Sequence, residues 1–209
     1  MFKIAINGCG RIGKLVTRRL FDVGLGENLT LINEQKGSIE NLATLLEFDS
    51  IHGHWPKDIE TSTNTIKINR HEITVFNSSS ISGLKQAISN VDLLIDCTGS
   101  TKNFNVLKQY LDYGVKSILI SAPINDDRIL NIVFGVNHHL YDSSKNHVVT
   151  AASCTTNCLA PIVKVLHEQV GIKHGSITTN HNVTNSQTIV DKPAGNVPVS
   201  YTHLRAHET

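Results

Sequence analysis

The amino-acid sequence predicts an α/β protein built on a doubly wound parallel sheet. Strand-like and helix-like runs alternate along its 209 residues, and several of the strand-like runs are apolar throughout. Such strands are typical of a parallel sheet that helices cover on both faces. The formal net charge is only +1, from 19 basic and 18 acidic residues, and no basic tract stands out. We therefore expect neither nucleic acid nor an anionic membrane as a partner.

The predicted elements follow one another in a regular order. Apolar, β-branched runs predict strands at residues 3–6, 29–32, 65–68, 73–76, 92–96, 115–120, 132–134 and 147–150. Helical periodicity predicts helices at 11–23, 39–48 and 84–89, and a further one that Thr101 or Asn103 caps and that runs to Tyr113. In the first helix the apolar side is formed by Ile12, Leu15, Val16 and Leu20. Residues 69–72 are expected to join two strands as a hairpin.

A glycine-rich turn joins the first strand to the first helix. Gly8, Gly10 and Gly13 form the pattern G-x-G-x-x-G, and Glu34 follows the second strand. In a dinucleotide-binding turn the first glycine makes the turn, the second lets the backbone approach a pyrophosphate, and the third permits close helix–strand packing. The pattern predicts a Rossmann-type domain. Glu34 can accept both ribose hydroxyls and so favours NAD over NADP, although Lys36 weakens that preference; a glycine turn without a ligand is the alternative.

Two later strands also end in polar turns. Residues 96–99 and 121–123 each follow an apolar run. Because the carboxyl ends of parallel strands face the ligand crevice, we expect Thr98, Gly99 and Ser121 to lie at the same site as the glycine turn. Ordinary strand-to-helix turns are the alternative.

Cys154 stands where a strand gives way to a helix. The apolar run 147–150 precedes it, and apolar residues at helical spacing follow it, namely Leu159, Ile162, Val163, Leu166 and Val170. Unpaired N–H groups and the positive end of the helix dipole stabilise a thiolate at such a position. The sequence therefore predicts a nucleophilic cysteine suited to covalent chemistry.

Among the eleven histidines, His181 is the best candidate for the base that this thiol requires. It follows the β-rich run 176–179, a strand that we expect to return beside the start of the helix. An imidazole there would pair with the thiolate and move protons. The alternative is a buried structural cysteine with His181 on an ordinary strand. We expect Cys158 to be a packed residue, and no metal site is predicted.

The number and spacing of the cysteines indicate the redox compartment in which the protein works. None of the four follows a C-x-x-C spacing, and the chain is not dense in cysteine. A reducing, cytoplasmic setting is therefore expected. The first residues already form a strand-like run, so we predict no signal peptide, and no apolar stretch is long enough to span a bilayer.

Four segments together resemble the phosphorylating glyceraldehyde-3-phosphate dehydrogenase family. They are residues 5–13, 49–53, 134–138 and 152–161, the last of which contains Ser-Cys-Thr-Thr-Asn-Cys. The resemblance extends from residue 1 to about Pro193. The last motif is specific to this family and to its relative, erythrose-4-phosphate dehydrogenase.

The resemblance implies an NAD-dependent oxidoreductase of glycolysis that converts glyceraldehyde 3-phosphate and inorganic phosphate into an acyl phosphate. Cys154 would form a thiohemiacetal and then a thioester, with His181 as its base. Ser153, Thr155 and Thr184 would contact the substrate phosphate or the attacking phosphate. The residues implied at the NAD site are Asn7, Gly8, Gly10, Arg11, Ile12, Gly13, Glu34, Thr98, Gly99 and Ser121. Full-length members are homotetramers.

Three positions depart from the family pattern. The ribose acid is Glu34 rather than aspartate, Cys9 replaces an aromatic residue, and residues 77–81 lack an adenine-side arginine. Residues 46–55 and 182–191 look most like the subgroup found in bacterial arsenic-resistance operons, in which arsenate would replace phosphate. An arsenate-using variant, an erythrose-4-phosphate dehydrogenase and a non-catalytic NAD-binding module stay open as alternatives.

We expect three regions along the chain. Residues 1–152 would form the NAD-binding domain, and residues 153–198 the start of a truncated α+β catalytic domain. Residues 199–209 have no apolar period and look like a translated sequencing adapter, so we expect a non-native tail; a polar extension is the alternative. Similar proteins are longer, and we therefore expect this polypeptide by itself to have negligible turnover.

Overall fold

The structure, a computed structural model, describes residues 1–101 and 103–181. The chain falls into two compact units, the first covering Met1–Ala152 and the second beginning at Ser153. Helices of the first unit are α1 (Arg11–Asp22), α2 (Ile39–Glu47), α3 (Ile81–Ile88) and α4 (Phe104–Asp112). In the second unit α5 spans Cys154–Gln169.

The strands of the described residues all belong to the first unit. They are β1 (Ile4–Asn7), β2 (Leu29–Asn33), β3 (Phe48–Asp49), β4 (Gly53–His54), β5 (Ile59–Thr61), β6 (Thr65–Ile68), β7 (His71–Phe76), β8 (Leu93–Asp96), β9 (Ser117–Ile120), β10 (Leu130–Asn131) and β11 (Val148–Thr150). Strands β3 and β4 form a small antiparallel pair of their own.

The other described strands form one sheet in the order β10-β11-β9-β8-β1-β2-β7-β6-β5. All pairs from β10 to β7 are parallel, and β6 and β5 add an antiparallel edge. The chain builds outward from β1 through β2 on one side and then returns to place β8 on the other side. The carboxyl ends of β1 and β8 therefore flank the topological switch point, where doubly wound sheets bind ligands.

Helices cover both faces of this sheet. Ile4 and Ile6 of β1 belong to a buried cluster that includes Leu42 and Leu46 of α2. Ala5 points to the opposite cluster, which contains residues of α3 and α4. Neighbouring residues of one strand thus pack on opposite faces, as the pleat requires. The prediction of a doubly wound, mainly parallel α/β fold is confirmed.

The predicted strand at residues 132–134 is wrong. The strand in this region, β10, is only Leu130–Asn131, and Phe134 is 82% exposed. The Asn137 side chain accepts from Val133 N at 2.7 Å and donates to Asn131 O at 2.9 Å, which closes a turn over the apolar run. The predicted hairpin forms, but its connection is only Asn69–Arg70, with Asn69 in the left-handed region at φ 56°.

Helix α1 packs Val16 and Leu20 of its predicted apolar side against the core, but its most buried residues are not the apolar ones. Its buried residues are Gly13, Lys14, Thr17 and Arg18, whereas Ile12 is 49% exposed. Lys14 Nζ lies 2.5 Å from Asp49 Oδ2, and Arg18 Nε donates to Leu46 O at 2.8 Å. The Lys14 ammonium, with backbone N–H groups of residues 51 and 52, holds the pKa of Asp49 well below its usual range. Hydrogen-bonded cations thus occupy positions where apolar residues are usual.

Helix α5 forms as predicted, but its apolar residues are not buried among the described residues. Ile162 and Val165 are exposed by 55% and 58% of their surface, and Val170, directly after the helix, by 80%. Within the described part of the chain, no helix has both the length and the apolar character needed to cross a membrane.

Candidate functional site

The glycine turn after β1 has the geometry that its three glycines predict. Gly8 has φ +83°, and an added Cβ there would lie 2.8 Å from Thr98 N. A Cβ at Gly13 would overlap the carbonyl oxygen of Gly8, so Gly13 permits α1 to approach the turn. A Cβ at Gly10 would meet no atom within 4 Å. The backbone at Gly10 is therefore open to a ligand on the side that a side chain would fill.

The start of α1 is suited to an anion. No side chain of the described residues caps this helix, and its first turn contains no acidic residue. The N–H groups of the first turn and the positive end of the helix dipole are the groups that bind a pyrophosphate in proteins. Arg11 and Ile12, both predicted at the site, lie exposed on this first turn.

Glu34 lies directly beside the glycine turn. Its Oε2 accepts from Cys9 N at 2.7 Å, and its Oε1 accepts from Lys36 N at 3.0 Å. The two hydrogen bonds hold the half-buried carboxylate at the end of β2, the position from which an acid binds the adenosine ribose. Each carboxylate oxygen keeps a second lone pair for a ribose hydroxyl.

The turns after β8 and β9 meet at the same edge of the sheet. Asp96 Oδ1 accepts from Thr98 N at 3.0 Å and from Thr98 Oγ1 at 2.7 Å, and Ser121 N donates to Asp96 O at 2.9 Å. Gly99 is exposed, with φ +67°. The structure therefore brings Thr98, Gly99 and Ser121 together with the glycine turn.

Asn7 was predicted at the same site, but its buried side chain forms hydrogen bonds with other side chains of the protein. The buried amide donates to Asp96 Oδ2 and to Tyr110 Oη, each at 3.1 Å, and accepts from Asn33 Nδ2 at 2.8 Å. Sequence reasoning did not single out Asn33, Asp96 or Tyr110. For Asn33 and Asp96 a signal was present, because a polar residue ends each of the apolar strands β1, β2 and β8; Tyr110, in α4, had no such signal.

In the second unit, Cys154 is the first residue of α5. Ser153 caps the helix, and its Oγ accepts from Thr156 N at 3.0 Å. Asn157 Nδ2 donates back to Ser153 O at 2.9 Å. The preceding residue, Ala152, is in the left-handed region at φ 55°, a conformation that costs a non-glycine residue about 1–2 kcal/mol. This sharp turn ends the path from β11 and starts the helix at the cysteine.

Cys154 and His181 are in contact. Sγ of Cys154 lies 3.1 Å from Nε2 of His181, and both side chains are exposed. The hydrogen bond to His181 is the largest cause that lowers the pKa of the Cys154 thiol, and the backbone N–H of Thr155 lowers it further. Burial acts in the opposite direction but does not outweigh them. The arrangement can supply a sulfur nucleophile of lowered pKa with an imidazole adjacent to it.

The other cysteines have different surroundings. Burial raises the pKa of the Cys9 thiol to about 12 and that of the Cys97 thiol to about 11. Cys158 is exposed one turn after Cys154, so the expectation that it is packed is wrong for the described residues. Within the described ranges, no three His, Cys, Asp or Glu side chains are grouped to hold a metal ion.

The route from α5 to His181 differs from the prediction. Residues 171–181 contain no strand, so the predicted strand at 176–179 is wrong and the contact is made by an irregular segment. The Ser153 hydroxyl caps α5, and Thr155 is half-buried beside Cys154. Thr184, the third predicted phosphate contact, lies outside the described residues, as does the tail at 199–209.

Two models of one protein family match this chain. A family model for the NAD-binding domain of glyceraldehyde 3-phosphate dehydrogenase matches residues 2–104, and the model for the C-terminal domain of the same enzyme matches residues 153–201. The chain belongs to the glyceraldehyde-3-phosphate dehydrogenase family. The NAD-binding match covers β1 to β8, including the glycine turn and Glu34, and NAD is the cofactor that the first unit fits.

Curated relatives support the family assignment. The chain is 42% identical over 191 residues to glyceraldehyde-3-phosphate dehydrogenase 3 of Nostoc, an alignment that covers 91% of this chain and 56% of the relative. It is 39% identical over 193 residues to glyceraldehyde-3-phosphate dehydrogenase 1 of Bacillus cereus, covering 92% and 57%. It is also 39% identical to the enzyme of Geobacillus stearothermophilus, covering 91% and 56%. The chain thus spans little more than half the length of these relatives.

Proposed function

We propose that the protein acts as an NAD-dependent, phosphorylating aldehyde dehydrogenase whose substrate is glyceraldehyde 3-phosphate. The observation that carries the proposal is the contact of 3.1 Å between Cys154 Sγ and His181 Nε2 at the start of α5. A lowered thiol pKa is the property that a covalent aldehyde dehydrogenase needs, and the first unit offers the glycine turn for its cofactor.

In the first step of the proposed reaction, the Cys154 thiolate attacks the aldehyde carbon. A C–S bond forms, the C=O π electrons move to oxygen, and protonated His181 gives its proton to that oxygen, which yields a thiohemiacetal. The backbone N–H groups at the start of α5 are suited to stabilise the developing negative charge. His181 then takes the hydroxyl proton back as the C–H hydride departs. Bound NAD supplies the acceptor for that hydride.

The second half of the reaction releases the acyl group from sulfur. The product of oxidation is a thioester on Cys154. An oxygen of inorganic phosphate attacks the thioester carbonyl, the C–S bond breaks, and the sulfur leaves as a thiolate, so that an acyl phosphate is formed. A thiolate of lowered pKa is a good leaving group in this step. Ser153, Thr155 and Thr184 are the proposed contacts for the phosphate groups. Ser153 Oγ accepts the capping bond from Thr156 N and also lies 2.7 Å from Thr156 Oγ1.

The test is a steady-state assay of NADH formation with glyceraldehyde 3-phosphate, NAD and phosphate. The assay is run on the product of the full reading frame of the gene and on the 209-residue polypeptide, each beside its Cys154→Ser variant. We expect Cys154-dependent NADH formation from the first and negligible turnover from the second, whose α5 exposes its apolar residues. Absence of Cys154-dependent activity in the first would contradict the proposed function, and clear activity of the second would contradict its proposed inactivity.

Two changes of substrate in the same assay distinguish the arsenate-using and the erythrose-4-phosphate alternatives. Replacement of phosphate by arsenate tests an arsenate-using variant of the enzyme, and erythrose 4-phosphate tests the related substrate. We propose glyceraldehyde 3-phosphate and phosphate as the physiological pair, and a higher kcat/KM for either substitute would contradict that choice. A chain that binds NAD but produces no NADH would be a non-catalytic binding module.

We further propose a homotetramer in the cytoplasm. The four cysteines all lie in described residues and none forms a disulfide, which agrees with a reducing compartment. Sedimentation velocity of the full reading-frame product is expected to give four copies per particle. A monomer at micromolar concentration would contradict the proposed assembly.

A further inference from the structure

A chain of side-chain hydrogen bonds runs across the carboxyl ends of four strands. Asn33, at the end of β2, donates to Ser78 O at 3.0 Å and accepts from Ser78 N at 2.9 Å. It also donates to Asn7 Oδ1 at 2.8 Å, and Asn7 donates to Asp96 Oδ2 at 3.1 Å. Asn7, Asn33 and Asp96 are all buried, and Ser78 lies just after β7. The chain connects β7, β2, β1 and β8.

The direction of every bond in this chain is fixed. The backbone N–H and C=O of Ser78 cannot exchange places, and they set the orientation of the Asn33 amide. Asn33 therefore presents N–H to Asn7, whose oxygen must face it and whose NH₂ must face position 96. A residue at 96 must accept there, and it must also accept from Thr98 N. A carboxylate accepts with both oxygens and donates with neither.

Asp96 also shapes the turn against which the glycine loop packs. Its Oδ1 holds the backbone and the hydroxyl of Thr98, and its Oδ2 accepts from Thr101 Oγ1 at 3.1 Å. Gly8 packs against the Thr98 backbone so closely that a Cβ would not fit. The position of the Thr98–Gly99 turn relative to the glycine loop therefore depends on the carboxylate of Asp96.

We propose that Asp96 is a positioning residue for NAD, which acts by fixing the Thr98–Gly99 turn beside Gly8 through two acceptor oxygens. The inference rests on the proposed NAD binding of the first unit. Asparagine at 96 fills the same volume but brings one NH₂ group. That group would oppose either Asn7 Nδ2 or Thr98 N, so one of the two contacts is lost in each orientation.

The strand order predicts which part of the cofactor is affected. Glu34, the ribose acid, follows β2, whereas the Thr98 turn follows β8 on the other side of β1. AMP uses the half of the site on the Glu34 side, and NAD uses both halves. Loss of the Asp96 contacts should therefore weaken NAD binding and leave AMP binding nearly unchanged.

The experiment measures the dissociation constants of NAD and AMP by calorimetry on the 209-residue chain. Asp96→Asn is expected to weaken NAD about tenfold and AMP less than about twofold. Asp92→Asn is the matched control, because it removes a carboxylate just before the opposite end of β8, where Asp92 pairs with Lys116. We expect this control to bind NAD as the unaltered chain does.

A double variant tests the directional argument itself. In Asn7→Asp with Asp96→Asn, the new carboxylate accepts from Asn33 and from the NH₂ at position 96, while the amide oxygen at 96 stays toward Thr98 N. The conflict between donors at positions 7 and 96 is thereby removed, and NAD affinity should return. If Asp96→Asn alone does not fold, recovery of folding and NAD binding in the double variant decides the question. Equal NAD affinity of Asp96→Asn and the unaltered chain, equal losses for AMP and NAD, or no recovery would overturn the inference alone. Absence of NAD binding by the unaltered chain would overturn the proposed function with it.

Discussion

At the scale of single residues, the surroundings of each cysteine determine its chemistry. Cys9 is buried beside Thr17, with 3.9 Å between Sγ and Oγ1, and its raised pKa keeps it a thiol. Cys154 is exposed at a helix start beside His181, and its pKa is lowered. Its surroundings therefore keep the Cys9 side chain protonated, whereas the lowered pKa of Cys154 suits the nucleophile that we propose there.

This contrast predicts which thiols react in the folded chain. Cys154 and Cys158 are exposed, and we expect both to react with Ellman's reagent at pH 7. Cys9 and Cys97 should react only after unfolding in guanidinium chloride, because burial protects them and raises their pKa values. Their protonated forms stabilise the fold below pH 9, and this contribution should be lost as the pH rises from 9 toward 12. Four rapidly reacting thiols in the native chain would contradict this assignment.

Glu34 predicts the choice between the two nicotinamide cofactors. Its carboxylate is fixed beside the glycine turn, where the 2′-phosphate of NADP would meet a like charge. Glu34→Ala should weaken NAD binding and strengthen NADP binding, so that the affinity ratio falls by about tenfold or more. Titrations of both cofactors measure the ratio, with Glu40→Ala on α2 as the control for loss of an exposed acid. An unchanged ratio in Glu34→Ala would show that the acid does not select the cofactor.

At the scale of elements, the glycine turn separates packing from ligand binding. Gly13→Ala should destabilise the first unit by about 1–3 kcal/mol, because its Cβ would overlap the Gly8 carbonyl. Gly10→Ala should retain stability, since the space is open and φ −70° suits alanine, but it should lose NAD affinity because its methyl group would occupy the approach of a pyrophosphate. Chemical denaturation and NAD titration of both variants measure the two effects. Equal effects of the two substitutions on stability would contradict the separation.

The sequence was informative where one local signal determined an element, and it failed where distant partners did. Apolar runs identified β1, β2 and β8, and apolar residues at helical spacing identified α5, because these patterns lie in neighbouring residues. The burial of Lys14 and Arg18 in α1 was not predicted, because their partners at Asp49 and Leu46 lie about thirty positions away in the sequence.

Within the site, the same distinction holds. The positions of Gly8, Glu34 and Cys154 follow from motifs that include their own neighbours. The role of Asp96 could not be predicted, because it depends on Asn7 and Ser78, whose amide directions only the assembled sheet fixes. The strand predicted at 176–179 failed for a related reason: β propensity forms a strand only where a partner strand pairs with it.

At the scale of the whole molecule, the two units differ in how completely their apolar side chains are buried. The first unit covers both faces of its sheet, and its largest side chains are fully buried. In the second unit, the apolar side of α5 is exposed among the described residues, and Cys154 Sγ is in contact with His181 Nε2. The contact between Cys154 and His181 thus forms within one stretch of chain, and its proposed role can be tested on this polypeptide.

The measurement that tests this pair most directly is the rate of Cys154 alkylation by iodoacetamide as a function of pH, in a Cys158→Ser background. With His181 present, the rate should reach half its maximum below pH 9.0, the ordinary pKa of a thiol. His181→Asn should move that midpoint upward and slow alkylation at pH 7 about tenfold, whereas His174→Asn, in the same segment, should change neither. Identical pH profiles with and without the His181 imidazole would contradict the account.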